Sequence, residues 1–408
     1  TSLPLPFECY YAVEVEDASK IEKKIHEGLD DARIRDNREF FNTTPEQAKS
    51  ILEIAEIMGG KDVTPKGDIV ETAQDKQALD NARKRRGRID YFGILGITKG
   101  TKLTFSKDKN KFMILGVTGP NEYENNINNN WYTNYIAKWC IKYALENIDI
   151  VKTDHISDYI RIKEKTNFSL DELKDWKKVA DDMYFPFSEK HTIFLQQDGF
   201  LDKKLITVAN LDTSQRPINQ KWSWDRILRS PYIKQADVLQ GFYMFEADFS
   251  KEELERHFDF YEPFTVHESS LSPCVHSIQA AKLDRMEQAY EFYLRTSRLD
   301  LDDYNHEVEE GLHITSMAGT WMSIVEGFGG MRVLNNTLSF SPKIPKEWNS
   351  YSFKVNFRNQ VITINVTQNR THFELVGKHE IKILVHGEFV IVSPNKLVTV
   401  YNRNYETL

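Results

Sequence analysis

Apolar residues recur at helical spacing from residue 131 to about residue 329, then alternate strictly from about residue 336 towards the end of the chain. An apolar pattern with a period of 3.6 cannot bury its stripe as a strand, and one with a period of 2 cannot do so as a helix. The chain must therefore build a helix-on-helix body first and a sheet-based body second. WYTNYIAKWCIKYALENI (131–148) predicts a long buried helix. Ser169 and Asp171 open another through Trp176, Val179 and Met183. Further helices are predicted over 234–247, 251–258, 274–299 and 313–329, with connections short enough for an antiparallel array. TLSFSPKIP, SYSFKVNFRNQVITINVTQNRTHFELVG and KHEIKILVHGEFVIVS predict a small antiparallel β sandwich. A length of 408 residues leaves room for two or three domains. The divisions expected are 1–58, 59–110, 111–335 and 336–408.

Before residue 110 the character differs: short, charged, mixed elements give a small α+β segment. YYAVEVED (10–17) predicts a strand and ASKIEKKIHEGL (18–29) an amphipathic helix. Thr44 and Pro45 suit the cap and first turn of a second helix. Residues 59–78 read as a linker, KRRGR (84–88) as a solvated helix end, and GITKGTKLTF as a small β unit with a Gly turn. The stretch LPFECYYAVEVEDASKIEKKIHEGLDDARIRDNREFF resembles the C-terminal half of a phage-type GIY-YIG nuclease domain. The resemblance implies a metal-binding role for Glu39. The family's upstream strand pair and its Arg are not in the sequence, and one carboxylate cannot supply metal, nucleophile activation and charge stabilisation together. Nuclease activity is not expected.

Four constellations beyond residue 110 carry chemistry. In GVTGPNEYENNINNNWYTN, Gly119-Pro120 fixes the backbone ahead of Glu122, with Glu124 close behind. Amide forks can bond sugar hydroxyls, and aromatic rings can cover the C–H face of a pyranose. The plainer alternative for Glu122 is a helix-start carboxylate. Lys234-Gln235 offers ammonium and amide donors, although such a dipeptide is also common on surfaces. VHESSLSPCVHS crowds His267, Glu268 and three serines ahead of Pro273; it also reads as a helix start with Ser272 as N-cap. In GLHITSMAGTW, small and hydroxyl residues entering a helix leave backbone N–H groups to hold an anion, with His313 as a further donor. A small-residue packing seam would have the same sequence.

Taken in order, GVTGPNEYENNINNNWYTN, KQADV, HESSLSPCVHSIQAA and EEGLHITSMAGTWMSIVEGFGGMR resemble glycoside hydrolase family 65, on the maltose-phosphorylase side of its disaccharide phosphorylases. The resemblance runs from about residue 111 to the C-terminus. It implies a mainly α fold with C-terminal β structure: a partial (α/α)6 barrel followed by the sandwich. It implies a general acid at Glu122 and sugar binding by Lys234 and Gln235. It further implies a pocket lined by His267 and Glu268, and a phosphate cradle at His313, Thr315, Ser316 and Gly319. Asn121, Trp131 and Tyr132 are implied to bear on specificity, on the maltose side. The family's N-terminal sandwich and first barrel helices are not recognisable, so the chain reads as a fusion of two truncated genes joined near 105–114.

The expected reaction is inverting phosphorolysis of maltose to β-glucose 1-phosphate and glucose. Inverting hydrolysis needs a second carboxylate to activate water, whereas phosphate arrives already anionic. The alternatives are an inverting α-glucoside hydrolase of the acid-trehalase kind, or a non-catalytic composite with a DNA-associated N-terminal segment. No cofactor or metal is expected, only inorganic phosphate as co-substrate. A net charge of −8 argues against bulk nucleic-acid or anionic-membrane binding. The expected partners are a disaccharide, phosphate and, as the family often dimerises, a second copy of the chain. No apolar run spans a membrane, no signal peptide is visible, and Cys9, Cys140 and Cys274 follow no metal spacing; a cytoplasmic location is expected.

Overall fold

The structure, a computed structural model, describes residues 13–14, 61–62, 103–166 and 168–402. The chain divides into Thr1–Asp90 and Tyr91–Leu408. In the first unit, β1 (Val13–Glu14) pairs antiparallel with β2 (Lys61–Asp62). The helix expected over 18–29, Glu39, the Thr44 cap and the KRRGR run lie outside the described residues.

The second unit opens with a hairpin. β3 (Thr104–Ser106) pairs antiparallel with β4 (Lys111–Met113), so the expected small β unit closes on residues placed in the helical region. Then come α1 (Trp131–Asp154), α2 (Ile156–Thr166) and α3 (Leu170–Asp181). Ser169 and Glu172 cap α3 reciprocally, satisfying two orphan N–H groups of its first turn. α1 is not buried along its length as its pattern predicts. Its buried residues are Trp131, Thr133, Asn134 and Ala137, near the N-terminus, while Trp139, Tyr143 and Ile150 are exposed. Apolar spacing records which face a helix can bury, not whether a neighbour covers it.

A two-stranded β5–β6 hairpin (Phe187–Ser188, Ile193–Phe194) follows, then short α4 (Ile218–Lys221) and α5 (Trp224–Leu228). The remaining helices are α6 (Val238–Met244), α7 (Lys251–Tyr261), α8 (Ser272–Lys282), α9 (Met286–Ser297) and α10 (Ile314–Met322). The single helix expected over 274–299 is two, because Asp284 adopts φ 64° and turns the chain between α8 and α9. α8 is the hub: every residue from Ser272 to Ala281 is buried. Leu271, not Ser272, holds its N-cap position. α10 passes into a π turn, Ser323–Phe328, instead of continuing as α-helix. The helical core gathers Trp131, Phe200, Phe242, Phe258, Tyr261, Phe292 and Phe328.

Two four-stranded sheets complete the unit. One has the order β14–β11–β10–β9 (Val398–Tyr401, Arg370–Val376, Gln360–Thr367, Ser350–Phe357) and is antiparallel throughout. The other has the order β13–β12–β8–β7 (Glu388–Val392, Ile381–Val385, Thr337–Phe340, Arg332–Leu334). There β8 and β12 run parallel, so the sandwich is mixed where alternation predicted an antiparallel one. Alternation sets which face is buried but carries no strand direction. Ile362, Ile364 and Val366 of β10 meet Leu338, Phe340 and Ile383 in a separate β core.

Candidate active site

The loop before α1 is built on buried amides. Asn130 caps α1, its Oδ1 accepting from the Thr133 backbone N–H (2.9 Å) and hydroxyl (2.8 Å). Its Nδ2 donates to the Gln196 carbonyl (3.2 Å) and to Asp237 (2.9 and 3.1 Å to the two oxygens). Asp237 Oδ2 also accepts the Asn121 backbone N–H at 2.9 Å. Asn121 Oδ1 accepts the backbone N–H groups of Tyr123 (3.2 Å) and Lys234 (2.9 Å). Gly119 stands where a side chain could not: a Cβ there would come within 2.3 Å of Asn130 Nδ2 and 2.5 Å of Asp237 Oδ2. Its need for glycine is one of space, not of a turn with positive φ.

This frame pushes Glu122 outward. Its neighbours Asn121 and Tyr123 are buried, whereas the Glu122 side chain is 53% exposed. Its Oε2 lies 2.5 Å from Lys234 Nζ. Gln235 Nε2 donates to the Pro120 carbonyl at 2.9 Å, and its buried Oε1 has no partner. Lys234 and Gln235 thus sit against the acid loop, although more than a hundred residues separate them in sequence.

The other carboxylates of this region are committed. Glu124 is buried and paired with Lys203. Glu268 is 2% exposed; its Oε2 accepts the Tyr123 hydroxyl (2.7 Å) and the Ile218 N–H (2.9 Å), while Arg216 Nε lies 3.5 Å from Oε1. Asp237 is wholly enclosed, and burial pushes its carboxyl up to about 7 against the lowering pull of Asn121 and Asn130.

His267, predicted to line the pocket, is buried instead. Its backbone is held at φ 55°, with its carbonyl accepting from Arg295 Nη2 at 3.0 Å. Its Nδ1 meets the Ser272 hydroxyl at 2.8 Å, and its ring packs against His276 and Phe292. Burial, then the neighbouring His276, Arg295 and Arg216, holds the His267 imidazole well below its usual range, so it is neutral. His267 and Glu268 pin the loop; Ser270 and the exposed Leu271 are what the loop presents.

Ser270 Oγ lies 2.6 Å from Thr315 Oγ1 and so joins this loop to the start of α10. His313, at the N-cap of α10, donates its backbone N–H to Asp300 Oδ2 (2.9 Å), and its Nδ1 lies 2.5 Å from Asp300 Oδ1. Thr315 is exposed. Ser316 and Gly319 face inward: the Ser316 hydroxyl donates to the Thr296 carbonyl at 2.5 Å, and a Cβ on Gly319 would come within 2.8 Å of Cys274 Cβ. Of the first-turn N–H groups, those of Ile314, Ser316 and Met317 donate to the carbonyls of Leu312 and His313, which leaves the Thr315 N–H and hydroxyl, and His313 Nε2 at 3.9 Å from Glu307, to face an anion.

Hydrogen bonds therefore run without a break from Lys234 through the acid loop, by Tyr123 to Glu268. The loop carrying Glu268 then reaches Thr315 through Ser270. Asn121 and Trp131, implied to set specificity, are 1% and 0% exposed; they hold the loop and fill the core. Asp237 closes the KQAD constellation but was given no role there, and Tyr123, Arg216 and Asp300 were not singled out in the sequence. The one available signal was an Asp placed directly before the apolar helix VLQGFYMF. Among the described residues, no group of His, Cys, Asp and Glu could hold a metal ion. Nor is any helix long and apolar enough to cross a membrane.

Comparison with known proteins follows the same outline. Residues 100–322 match the glycosyl hydrolase family 65 central catalytic domain and residues 331–392 that family's C-terminal domain. Residues 1–56 match the T5orf172 domain, over the nuclease-like stretch. The chain is 54% identical over 291 residues to the maltose phosphorylase of Bacillus subtilis (strain 168), covering 71% of this chain and 38% of that protein. It is 40% identical over 288 residues to the α,α-trehalose phosphorylase of Thermoanaerobacter brockii, covering 71% and 37%. It is 32% identical over 303 residues to the kojibiose phosphorylase of Halothermothrix orenii, covering 73% and 39%. A solved structure described as a kojibiose phosphorylase candidate from the human microbiome superposes with a TM-score of 0.68 at 36% identity, covering 75% of this chain and 44% of that one. The chain thus spans under half the length of each of these relatives.

Proposed function

The chain belongs to glycosyl hydrolase family 65, and from that premise we propose that it carries the acid and the phosphate-facing surface of an inverting disaccharide phosphorylase. Glu122 donates its proton to the interglycosidic oxygen. Phosphate, held at the start of α10 by His313 and Thr315, attacks the anomeric carbon from the opposite face. The C–O bond to the leaving sugar breaks as the C–O bond to phosphate forms, and inversion yields β-glucose 1-phosphate and a free sugar. Ser316 and Gly319 act by seating α10, and His267 and Glu268 by seating their loop. Lys234 and Gln235 are the sugar-binding pair of this reading, Gln235 seated against the acid loop by its bond to the Pro120 carbonyl.

The observation that carries this reading is the exposure of Glu122, whose partner is Lys234. It is exposed, while Glu124, Asp237 and Glu268 are each buried and bound to partners. An inverting hydrolase needs a second free carboxylate, typically ~6.5–9.5 Å from the acid, to activate water. A phosphorolytic site needs only donors for an anion. Maltose is the substrate we assign, supported by the higher identity to the maltose phosphorylase than to the trehalose and kojibiose enzymes. The test is to incubate the purified chain with maltose, trehalose or kojibiose, with and without inorganic phosphate, and follow products by proton and phosphorus NMR. Phosphate-dependent β-glucose 1-phosphate from maltose is the expected result. Equal glucose release without phosphate, or no product from any sugar, would overturn the assignment.

A further inference from the structure

Three helices that begin at the candidate site run away from it towards one cavity. α1, α6 and α10 start next to Asn130, Asp237 and His313, and Trp139 in the third turn of α1, Tyr243 near the end of α6 and, through the π turn after α10, Glu326 line that cavity. At ~1.5 Å rise per residue the cavity lies on the order of 10–20 Å beyond the acid loop. It encloses about 500 Å³, and Glu246, Asp248 and Arg332 complete its polar lining. That volume is within the range of small-ligand sites.

Its lining has two characters. One wall is aromatic: Trp139 is 43% exposed, its ring stacked on Tyr143 at 5.1 Å and 11°, and 5.8 Å from Phe245. A flat indole held by a second ring and left open to the cavity is a platform for an apolar C–H face. The polar part is fixed by hydrogen bonds that leave acceptors over. Tyr243 donates to Glu326 Oε2 at 2.6 Å, and Tyr135 donates to Asp248 Oδ2 at 2.7 Å. The second oxygen of each carboxylate has no hydrogen-bond partner among the described residues. Glu246 is held by Arg332 (2.7 Å) and Lys282 (3.2 Å). Glu326 lies in the π turn, a deformation that recurs at functional sites.

We propose that this cavity is a second saccharide-binding site, taking a neutral di- or trisaccharide whose C–H face lies on Trp139 and whose hydroxyls donate to Glu326 and Asp248. Three carboxylates against Arg332 and Lys282 leave the lining a net negative charge, which disfavours an anionic sugar phosphate. The inference rests on the cavity's own chemistry, so it stands or falls separately from the phosphorolysis reading.

The full chain is labelled with 5-fluorotryptophan, and the Trp139 resonance is identified as the one lost in Trp139→Phe. Maltotriose is expected to move that resonance saturably in the wild-type chain, with the same midpoint in Lys234→Ala, which alters only the first site. Glu326→Gln is expected to raise the midpoint roughly tenfold by weakening a charge-assisted hydrogen bond. Glucose 1-phosphate is expected to leave the resonance in place. A resonance unmoved by maltotriose overturns the proposal. So does an equal response to glucose 1-phosphate, or a response that disappears in Lys234→Ala.

Discussion

Asp237, at the N-cap position of α6, uses its two oxygens on two other segments: the backbone of the acid loop at Asn121 and the cap of α1 at Asn130. Burial raises its carboxyl from 3.8 to about 7. A group whose folded value lies above its unfolded one stabilises the fold fully below the unfolded value, and that stability is lost as pH rises through the folded value. Wild type should therefore lose melting temperature relative to Asp237→Asn between about pH 4 and pH 7. Calorimetric scans across that window check this, and a gap between the two proteins that does not change with pH would remove Asp237 as its cause. Glu122→Gln tests the other side of the loop. It should lower phosphorolysis by roughly 100-fold or more, the usual contribution of a general acid, and leave the circular dichroism unchanged, since the side chain is exposed. The Gly-Pro turn and the density of Asn around it pointed to Glu122 in the sequence, but the enclosed setting expected for it is not what the fold gives: its side chain is 53% exposed beside Lys234. What those asparagines do was not legible there. A sequence shows that amides are present, but only the fold shows that Asn121 and Asn130 use theirs on the protein's own backbone and on Asp237.

α1 and α6 meet where a glycine faces a tryptophan. A Cβ on Gly241 would lie 2.4 Å from the Trp131 ring, which is fully buried among Tyr135, Phe194, Phe242 and Phe249. Gly241→Ala should cost about 1–3 kcal/mol in urea unfolding through overpacking, even though alanine favours a helix more than glycine does. A variant as stable as wild type would mean that the ring moves aside freely. The periods of the elements, the α3 cap and the alternation of β10 could all be read from residue types. The break between α8 and α9 could not, because Asp284 carries no obligatory turn chemistry and takes φ 64° only in its packed setting. The parallel pairing of β8 with β12 was equally hidden, because the partner strand lies beyond an intervening three-stranded meander.

Within Tyr91–Leu408 the helical and β cores are joined by a small aromatic cluster. Trp348 lies edge-on to Phe328 (5.2 Å), Tyr293 (5.1 Å) and Tyr290 (5.9 Å), and it also meets Tyr351 (5.7 Å), which packs against both cores. Trp348→Ala should cost about 3–5 kcal/mol and split unfolding into two steps, the helices and the sandwich melting apart. A single, unshifted transition would show that the two bodies are coupled by other contacts. The sequence by itself determined the order of helix and strand and the family likeness, because periodicity and short motifs are local and each residue reports on its neighbours. Only the tertiary structure decided which carboxylates are free and which side of α10 faces outward. It also decided that a cavity opens where α1, α6 and the π turn converge. These depend on which distant side chains satisfy each buried charge and cover each face, and no local pattern encodes that.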